Sequence, residues 1–591
     1  MKPGRRAFAA LAALAFVLPP GSRAADMHKV LHVAFPVAES GFDPQAIGDT
    51  YSDAVCLAIF DPLYRYDYFA RPVALEPNTA EALPQITDGG RTYTIRIKRG
   101  IHFAADPAFR GQPRELTADD YVYSIKRVFD PKVRSYWLYL FEGRLAGLDA
   151  PLARARKSGH LDYDETIEGV QALDRYTLRI RFKEPDYTFQ WWLTTSNFAA
   201  VAREVVEKYQ DASHRVMDHP VGTGPYRLKA WTRGQRIVLE ANPAYRRDLY
   251  PAPHDPADAN IAHGLAGRAL PLVGTVDIAI IEEAQPRLLG FDRGELDLVA
   301  VPSSLAPTVL DGSALKPGLA KRGIRLFRSS EPSLDFFFFN LDDPVVGGYD
   351  PAHIALRRAI ALGYDRAGAI RQLRNGQAVL ADQPVPPGLF GHDASIAVDL
   401  AFDPAAARAL LDRFGYRDRD GDGYRETPDG KPLTLAKGST TDADARSSDE
   451  LWKRNMDAIG LRITFVKNKW PELNKMTEAG QMMMWGLGWI SGIPDGLQFY
   501  SYLVSRNIGT SNDARLSLPE YDRLYDEAQR LPDGPARNAL FARLNRLIAN
   551  YAPWIVAEHP YRNELVQPWL RGFKPNPFRR TQWAYYDVVP H

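Results

Sequence analysis

The sequence contains very little cysteine, no excess of charge of either sign, and only one long hydrophobic run. Its single cysteine, Cys56, excludes an intramolecular disulfide, so the 591 residues must be stabilised by hydrophobic cores, expected in two or three domains. The formal net charge of +1 gives no reason to expect a nucleic-acid partner. After residue 24 no run of about eighteen apolar residues occurs, so the rest of the chain is expected to be soluble.

The first 24 residues form a separate unit. A basic start with Arg5 and Arg6 precedes an apolar run over 7–18, and Ser22-Arg23-Ala24 offers a small-x-small cleavage site. This pattern predicts a secretory signal peptide over 1–24 and a mature protein in the periplasm. The lone cysteine lies well after this site and is no N-terminal lipid attachment point. A partial resemblance to a twin-arginine signal leaves both export routes open.

Familiar catalytic spacings are missing from the sequence. It contains no Gly-x-Ser-x-Gly site and no phosphate loop, and Gly222-Thr-Gly224 lacks the third glycine of a dinucleotide fingerprint. His28 and His32 are four residues apart, but they lie where a strand is expected rather than a metal-binding helix. No catalytic constellation is therefore apparent, although carboxylate pairs distant in sequence cannot be recognised in this way.

Several segments predict regular structure of both kinds. Alternating side chains predict strands over 91–98 and 176–182. Thr117-Ala-Asp-Asp120 has a capping-box pattern ahead of an apolar helical face. Asp350-Pro351 is a typical helix start, and a late helix is expected from Pro535 to Tyr551. The mixture, with no single alternating order, argues for several α/β lobes.

One segment matches the oxygen-ligand spacing of a calcium loop. Asp418, Asp420 and Asp422 stand at positions 1, 3 and 5, Gly423 at position 6 and Asp429 at position 12. Proline and glycine follow where a helix would leave the loop, and Asp is shorter than the usual bidentate Glu. A polar, glycine-rich turn is the alternative interpretation. No other cofactor is indicated.

The segment Trp485–Phe499 contains two Trp, four Gly, one Pro and one Asp in fifteen residues. Such residues do not suit the middle of a helix or a central strand. They predict an irregular loop whose backbone approaches a ligand and whose rings cover it. A glycine-rich turn with two core tryptophans is the alternative.

A series of short segments occurs in order along nearly the whole chain. They are Gly41-Phe-Asp-Pro44, Leu116–Ser124, Val221-Gly-Thr-Gly-Pro-Tyr226, Asn242-Pro-Ala-Tyr245, Phe338-Phe-Asn340, Leu356–Arg366, Pro384-Val-Pro-Pro387 and the loop at 485–499. Each segment alone is weak, but the ordered set is specific. Together they resemble the family 5 extracellular solute-binding proteins, which include the peptide-binding proteins of ABC importers.

The resemblance implies an α/β, two-lobed periplasmic binding protein of class II, cluster C type, with an extra third domain. Lobe I would comprise 25–50, 195–325 and 553–591. The extra domain would be 51–194, inserted in lobe I, and lobe II would be 326–552. The ligand would be enclosed between the lobes by closure about a hinge.

The resemblance also implies a set of ligand contacts. In peptide binders of this family an Asp in the tryptophan-rich loop usually holds the α-ammonium group, but the corresponding position here is Gly492. Asp495 lies three residues on and is a candidate replacement, with capping of a turn as the alternative. The candidate ligand-binding residues are Glu39, Ser40, Phe336, Trp485, Trp489, Ser491, Gly492 and Asp495.

We therefore expect the periplasmic substrate-binding component of an ABC importer. As a monomer, it would capture a peptide or peptide-like solute and deliver it to permease subunits driven by ATPases, with no chemistry of its own. A non-peptide solute, such as an oligosaccharide, a metal chelate or an opine-like compound, is the alternative ligand in the same role. A secreted hydrolase and a periplasmic chaperone with exposed apolar patches are the competing classes.

Overall fold

Helices and strands alternate irregularly along the chain, and the strands collect into one large sheet and several smaller ones. The structure, a computed structural model, describes residues 25–398, 401–579 and 582–590. The predicted signal peptide over 1–24 lies outside the described residues. Within them, no helix combines the length and the apolar character needed to cross a membrane.

The strands are β1 (Asp26–Phe35), β2 (Tyr64–Tyr66), β3 (Leu75–Pro77), β4 (Gln85–Thr87), β5 (Thr92–Arg96), β6 (Val170–Asp174), β7 (Thr177–Arg181), β8 (Tyr226–Thr232), β9 (Arg236–Ala241), β10 (Val273–Ile280) and β11 (Leu298–Val301). They continue with β12 (Leu310–Asp311), β13 (Ala314–Leu315), β14 (Arg325–Ser330), β15 (Ser333–Phe339), β16 (Ala378–Leu380), β17 (Thr434–Ser439), β18 (Arg462–Lys467), β19 (Met484–Ile490), β20 (Trp554–Val566), β21 (Leu570–Arg571) and β22 (Asp587–Val588).

The helices are α1 (Thr50–Ile59), α2 (Ala118–Phe129), α3 (Asp149–Ser158), α4 (Phe189–Trp192), α5 (Arg203–Tyr209), α6 (Ala259–Ala262), α7 (Ala284–Asp292), α8 (Ala306–Val309) and α9 (Pro317–Lys321). They continue with α10 (Pro351–Gly363), α11 (Arg366–Leu373), α12 (Pro404–Arg413), α13 (Ala443–Asp457), α14 (Trp470–Glu478), α15 (Leu497–Ser501), α16 (Pro519–Gln529) and α17 (Pro535–Tyr551).

A four-stranded sheet of order β1-β10-β9-β8 forms the centre of the first lobe. β1 runs parallel to β10, whereas β9 is antiparallel to both of its neighbours. Leu31, Val276 and Leu239 from three of these strands are fully buried in one core together with Val55 of α1. His28 and His32 lie in β1, so the strand prediction for this segment is confirmed.

The extra domain is built on an antiparallel sheet of order β4-β5-β7-β6 that packs against α2. The strands predicted over 91–98 and 176–182 are β5 and β7, which pair directly. The predicted capping box is present, because Asp120 accepts hydrogen bonds from the backbone N–H and hydroxyl of Thr117 at 2.8 and 3.0 Å. Arg127 of α2 ties this domain to the first lobe through Asp43, with two hydrogen bonds of 2.8 and 2.7 Å between buried side chains.

The large sheet joins the two lobes. Its order is β11-β20-β15-β19-β17-β18, and β14 and β16 also pair with β20. The first half of β20 pairs with β15 and β16, and its second half pairs with β14 and β11. The chain therefore crosses between the lobes at residues 331–332 and again within β20, near Pro560. The limits expected from the sequence, at 325/326 and 552/553 for the lobes and at 50/51 and 194/195 for the extra domain, remain predictions. Helix α1 packs in the core of the first lobe, because its buried side chains share one core with β1, β9 and β10.

The prediction of a loop over 485–499 is wrong for its first half. Residues 484–490 form β19, a central strand antiparallel to β15, and only the segment between β19 and α15 is irregular. The glycines of this strand accommodate large neighbours on β15. A Cβ at Gly486 would lie 2.7 Å from Phe337 Cε1, and one at Gly488 would lie 2.4 Å from Asp335 Oδ1. Glycine in a strand here marks a close approach of side chains, not a loop.

Candidate ligand-binding cleft

A cavity of about 280 Å³ lies where the two lobes, the extra domain and the crossing strands meet. The first lobe contributes residues 47–50, Asp53, Ala54 and Leu57 around the start of α1. Trp137, Trp192, Thr195 and Asn197 come from the region of the extra domain, and Ile490, Ser491 and Gly492 come from the second lobe. The remaining lining residues are Ser329, Ser330, Glu331, Pro332, Arg562, Pro577, Phe578 and Arg579.

Helix α1 is fixed at both ends, and this fixes the side chains that it presents to the cavity. Asp49 caps its start by accepting from the N–H groups of Tyr51 and Ser52 at 3.1 and 2.7 Å. At its end, the N–H of Gly224 donates to the carbonyl of Ile59 at 2.8 Å. A Cβ at Gly224 would lie 2.6 Å from that oxygen, so the Val221–Tyr226 motif needs glycine here for close approach.

The second lobe contributes a small polar corner to the cavity. Ser491 is buried, and its hydroxyl donates to the carbonyl of Ile493 at 2.5 Å. Gly492 faces Trp192, whose ring would lie 3.3 Å from a Cβ at that position. Ile493 itself packs into the core of the extra domain. The loop after β19 therefore meets the opposite side of the cleft directly.

Five ionisable side chains line the cavity, and most of them are engaged within the protein. Asp49 caps α1, Arg562 pairs with a neighbouring glutamate at 2.6 Å, and Glu331 is engaged in an interaction of its own. Asp53 and Arg579 differ, because neither forms an ion pair within the described residues. Asp53 accepts from Ser196 Oγ at 2.5 Å, and the Arg579 guanidinium lies 5.3 Å from the centre of the Tyr66 ring. Burial raises the pKa of Tyr66, so its phenol stays neutral.

The aromatic residues predicted for the cleft lie mainly in the core of the second lobe. Trp485 and Phe336 are buried there, at 5% and 1% exposure, and Phe336 contacts Trp554 with ring centres 4.4 Å apart. Trp489 stacks on Tyr502 at 4.6 Å. Of the predicted ligand-binding residues, only Ser491 and Gly492 line the cavity.

Asp495 is held inside the second lobe by Arg537. Its two carboxylate oxygens accept from the guanidinium at 2.6 and 2.9 Å, and both side chains are buried. The same carboxylate accepts from the N–H of Leu497 at 2.9 Å, which is the turn-capping role left open by the sequence. A carboxylate bound at both oxygens is poorly placed to receive a ligand ammonium group.

The two predicted residues of the first lobe also lie outside the cavity lining. Glu39 is buried, and its Oε1 accepts from the indole of Trp231 at 2.5 Å and the N–H of Gly234 at 3.0 Å. Ser40 is one hydrogen bond away from the cavity, because its hydroxyl donates to Asp49 at 2.5 Å. Ser40 therefore supports a lining residue without being one itself.

The candidate calcium loop brings four carboxylates together, but not the predicted four. Asp418, Asp420, Asp422 and Glu426 offer oxygens that lie within 4.8 Å of one another, on the protein surface. Asp429 is instead paired with a neighbouring lysine at 2.7 Å. Both oxygens of Asp418 accept backbone N–H groups, at 2.7 and 2.9 Å, as in a polar turn.

Sequence analysis missed most of the cavity lining. The start of α1, the tryptophans at 137 and 192, and Arg579 come from segments far apart in sequence, and no local pattern marks them. The Trp191-Trp192 pair was the one available signal, since adjacent tryptophans suit an aromatic wall. Trp191 contacts Phe390 of the second lobe, with ring centres 5.5 Å apart.

Residues 74–511 match the sequence model of the bacterial extracellular solute-binding proteins, family 5. The chain belongs to this family. It is 24% identical to di/tripeptide-binding protein 2 of Pseudomonas aeruginosa over 94% of each chain. It is 25% identical to heme-binding protein A of Haemophilus influenzae, over 93% of this chain and 90% of that one.

The fold agrees with this assignment. The structure of HbpA2 from Haemophilus parasuis superposes with a TM-score of 0.75, at 17% identity, over 95% of this chain and all of that one. Family 5 members are the periplasmic solute-binding components of ABC importers, which act with permease and ATPase subunits. The family 5 protein described here is such a component, and it is a binding protein rather than an enzyme.

Proposed function

We propose that this family 5 protein captures a short peptide or peptide-like solute in the cleft cavity and delivers it to its permease. The observation that best supports this proposal is the cavity itself. It lies between the lobes, combines apolar rings with a carboxylate and a guanidinium, and has a volume of about 280 Å³. That volume is near the lower end of small-molecule sites, about 300–1,000 Å³, and suits a di- or tripeptide better than a long chain.

A non-peptide solute is the second candidate, and one observation favours it. Gly492 has no carboxylate where peptide binders of the family usually carry their ammonium anchor, and the ring of Trp192 covers that position. The relatives named as heme-binding and di/tripeptide-binding proteins support a family site that accommodates different ligands. In this role the protein would be monomeric, bind no nucleic acid, and reach the periplasm through the signal peptide over 1–24, without a lipid anchor.

A thermal-shift panel tests the proposal. Ligand-free protein is screened against free di- to pentapeptides, sugars, metal chelates and haem, because a ligand that binds only the folded state raises the melting temperature. We expect shifts with di- or tripeptides and smaller shifts as the peptide lengthens. Shifts confined to the sugars, chelates or haem would overturn the peptide assignment and favour the second candidate.

The calcium loop stays a separate proposal. We propose that, if an ion binds, its ligands are Asp418, Asp420, Asp422 and Glu426, since these oxygens already lie together. Asp422 would first have to leave its ion pair with Arg462. The site is remote from the cleft in sequence and would serve stability rather than ligand capture.

A further inference from the structure

Two side chains of opposite charge face the cleft cavity, and neither has a partner of opposite charge among the residues that the structure describes. Within the described part of the chain, Asp53 has a single hydrogen-bond donor, the hydroxyl of Ser196 at 2.5 Å. Arg579 donates to the carbonyl of Thr194 and to its hydroxyl, at 2.6 Å for the latter, and both of these acceptors are neutral. Both charged side chains line the same cavity, and they do not pair with each other.

The remaining charges of the cavity contrast with these two. Asp49 accepts three hydrogen bonds, two from the backbone of α1 and one from Ser40. Arg562 has its glutamate, and Glu331 has an interaction of its own. Asp53 and Arg579 are thus the charged groups that the cavity can offer to a ligand.

Burying a charge without a partner is costly, and the cost is removed when a ligand supplies the opposite charge. Asp53 is half-buried in the first turn of α1. Trp137 and Trp192 line the same cavity as Asp53 and Arg579. Closure of the cleft removes water from this cavity and strengthens any ion pair formed in it. A ligand that carries both an ammonium and a carboxylate group satisfies both side chains at once.

We propose that Asp53 binds the ammonium group, and Arg579 the carboxylate group, of a short zwitterionic peptide; this rests on the proposed peptide-binding function. Asp53 thereby performs the task that the family position at Gly492 cannot. The anchor has moved from the second lobe to the first, and the space at Gly492 is taken by Trp192.

The placement of both charges has a consequence for binding order. Asp53 belongs to α1 and Arg579 to the C-terminal segment, so both lie on the first-lobe side of the cleft, whereas the second lobe contributes the uncharged Ile490, Ser491 and Gly492. The ligand is therefore held by its charges in the open protein, and the second lobe then covers it. Such binding loses affinity as ionic strength rises.

The size of the ligand follows from the same geometry. A second cavity of about 100 Å³ shares Ala54, Leu57 and Arg579 with the first, so Arg579 stands between the two spaces. A peptide carboxylate bound at Arg579 leaves the second cavity for one side chain. Two or three residues fill this arrangement, and a longer chain has no charged group left for its far end.

Calorimetric titration with end-blocked peptides tests the inference. The probes are Leu-Leu, Ala-Phe and tri-alanine, each free, N-acetylated or C-amidated. We expect the wild type to bind the free forms at least tenfold more tightly than either blocked form, since each block removes one charge-assisted contact. Asp53→Asn should abolish the preference over N-acetylated peptides only, and Arg579→Gln the preference over C-amidated peptides only.

Matched variants control for loss of structure. Asp119 is an exposed acid in the first turn of α2, and Arg293 is an exposed arginine at the end of α7; neither lines the cavity. Asp119→Asn and Arg293→Gln should keep both preferences. Asp53→Glu and Arg579→Lys keep the charges and should retain the preferences for free ends. They test the inference even where Asp53→Asn or Arg579→Gln folds poorly.

The outcomes separate the inference from the function on which it rests. If free peptides bind the wild type but Asp53→Asn and Arg579→Gln leave both end preferences intact, the two anchors are wrong while peptide binding stands. If no free peptide binds the wild type, the proposed function fails and the inference fails with it.

Discussion

The ring of Trp192 lies against Gly492, so that a Cβ at Gly492 would stand 3.3 Å from Cζ3 and 3.4 Å from Cη2. The contact joins the region of the extra domain to the second lobe across the cleft. It also occupies the position where a carboxylate is expected in peptide binders of the family. A side chain at position 492 would crowd the Trp192 ring, so the residue that lacks the anchor also allows this contact across the cleft.

A methyl group at this position should impede closure. We expect Gly492→Ala to weaken ligand affinity by roughly fivefold or more, because overpacking costs about 1–3 kcal/mol. Calorimetric titration measures the change. Gly318→Ala is the matched control, since among the described residues nothing outside its own helix and chain neighbours lies within 4 Å of an added Cβ. Trp192→Leu combined with Gly492→Ala should recover part of the lost affinity, because the smaller side chain leaves room for the added methyl group. Equal affinity of Gly492→Ala and wild type would show that this contact does not limit closure.

The buried pair of Asp495 and Arg537 should act on stability and not on ligand selection. Asp495→Ala leaves a buried guanidinium without its carboxylate, so the free energy of unfolding should fall by about 3–5 kcal/mol. Urea unfolding followed by tryptophan fluorescence measures this, with the exposed Asp444→Ala as control. The surviving folded protein should bind free and N-acetylated peptides in the wild-type ratio. A selective loss of free-peptide binding would show that Asp495 contacts the ammonium group of the ligand.

Asp513 should make the protein less stable at alkaline pH. Burial raises its pKa from the ordinary value of 3.8 to about 7, with a smaller contribution from Glu478. Its Oδ2 is buried with no hydrogen-bond partner in the described residues. The folded protein therefore holds this proton more tightly than the unfolded chain, so stability falls as pH rises from about 4 to 7 and stays lower above that range.

Replacing Asp513 by Asn removes this titration. We expect Asp513→Asn to melt about 2–4 °C above the wild type at pH 8, with a smaller difference at pH 4. Scanning calorimetry at the two pH values measures the difference, and Asp444→Asn serves as the exposed control. A difference that is the same at both pH values, or larger at pH 4, would show that Asp513 is ionised normally.

The surface carboxylates at 418–426 make a distinct prediction about calcium. If the loop binds calcium, Glu426→Gln should abolish the heat of titration, because Glu426 belongs to the cluster of oxygens. Asp429→Asn should leave it unchanged, since Asp429 is paired elsewhere. Absence of heat in the wild type would identify the segment as a polar turn.

Local signals in the sequence predicted local structure well. The capping box at Thr117 and the start at Asp350-Pro351 both begin helices, because capping and the fixed φ of proline act within a few residues. β5 and β7 follow from alternation alone. The ordered motifs then led to the family, which no single element would have shown.

Contacts between segments that are distant in sequence could not be predicted from the sequence alone. β19 was mistaken for a loop because the reason for its glycines, the side chains of Phe337 and Asp335, lies on another strand. Asp53 and Arg579 come from opposite ends of the chain, so their shared cavity is a property of the fold. Asp495 looked available only because Arg537, its partner, is remote in sequence.

Native mass spectrometry of the protein, purified without unfolding from the periplasm of its own host, identifies the bound ligand directly. A closed cleft that holds a short zwitterionic peptide should retain it as a one-to-one complex. The proposed function predicts a released ligand that fragments at peptide bonds into two or three residues with free ends. A released ligand without peptide bonds, such as haem, a sugar or a metal chelate, would contradict it.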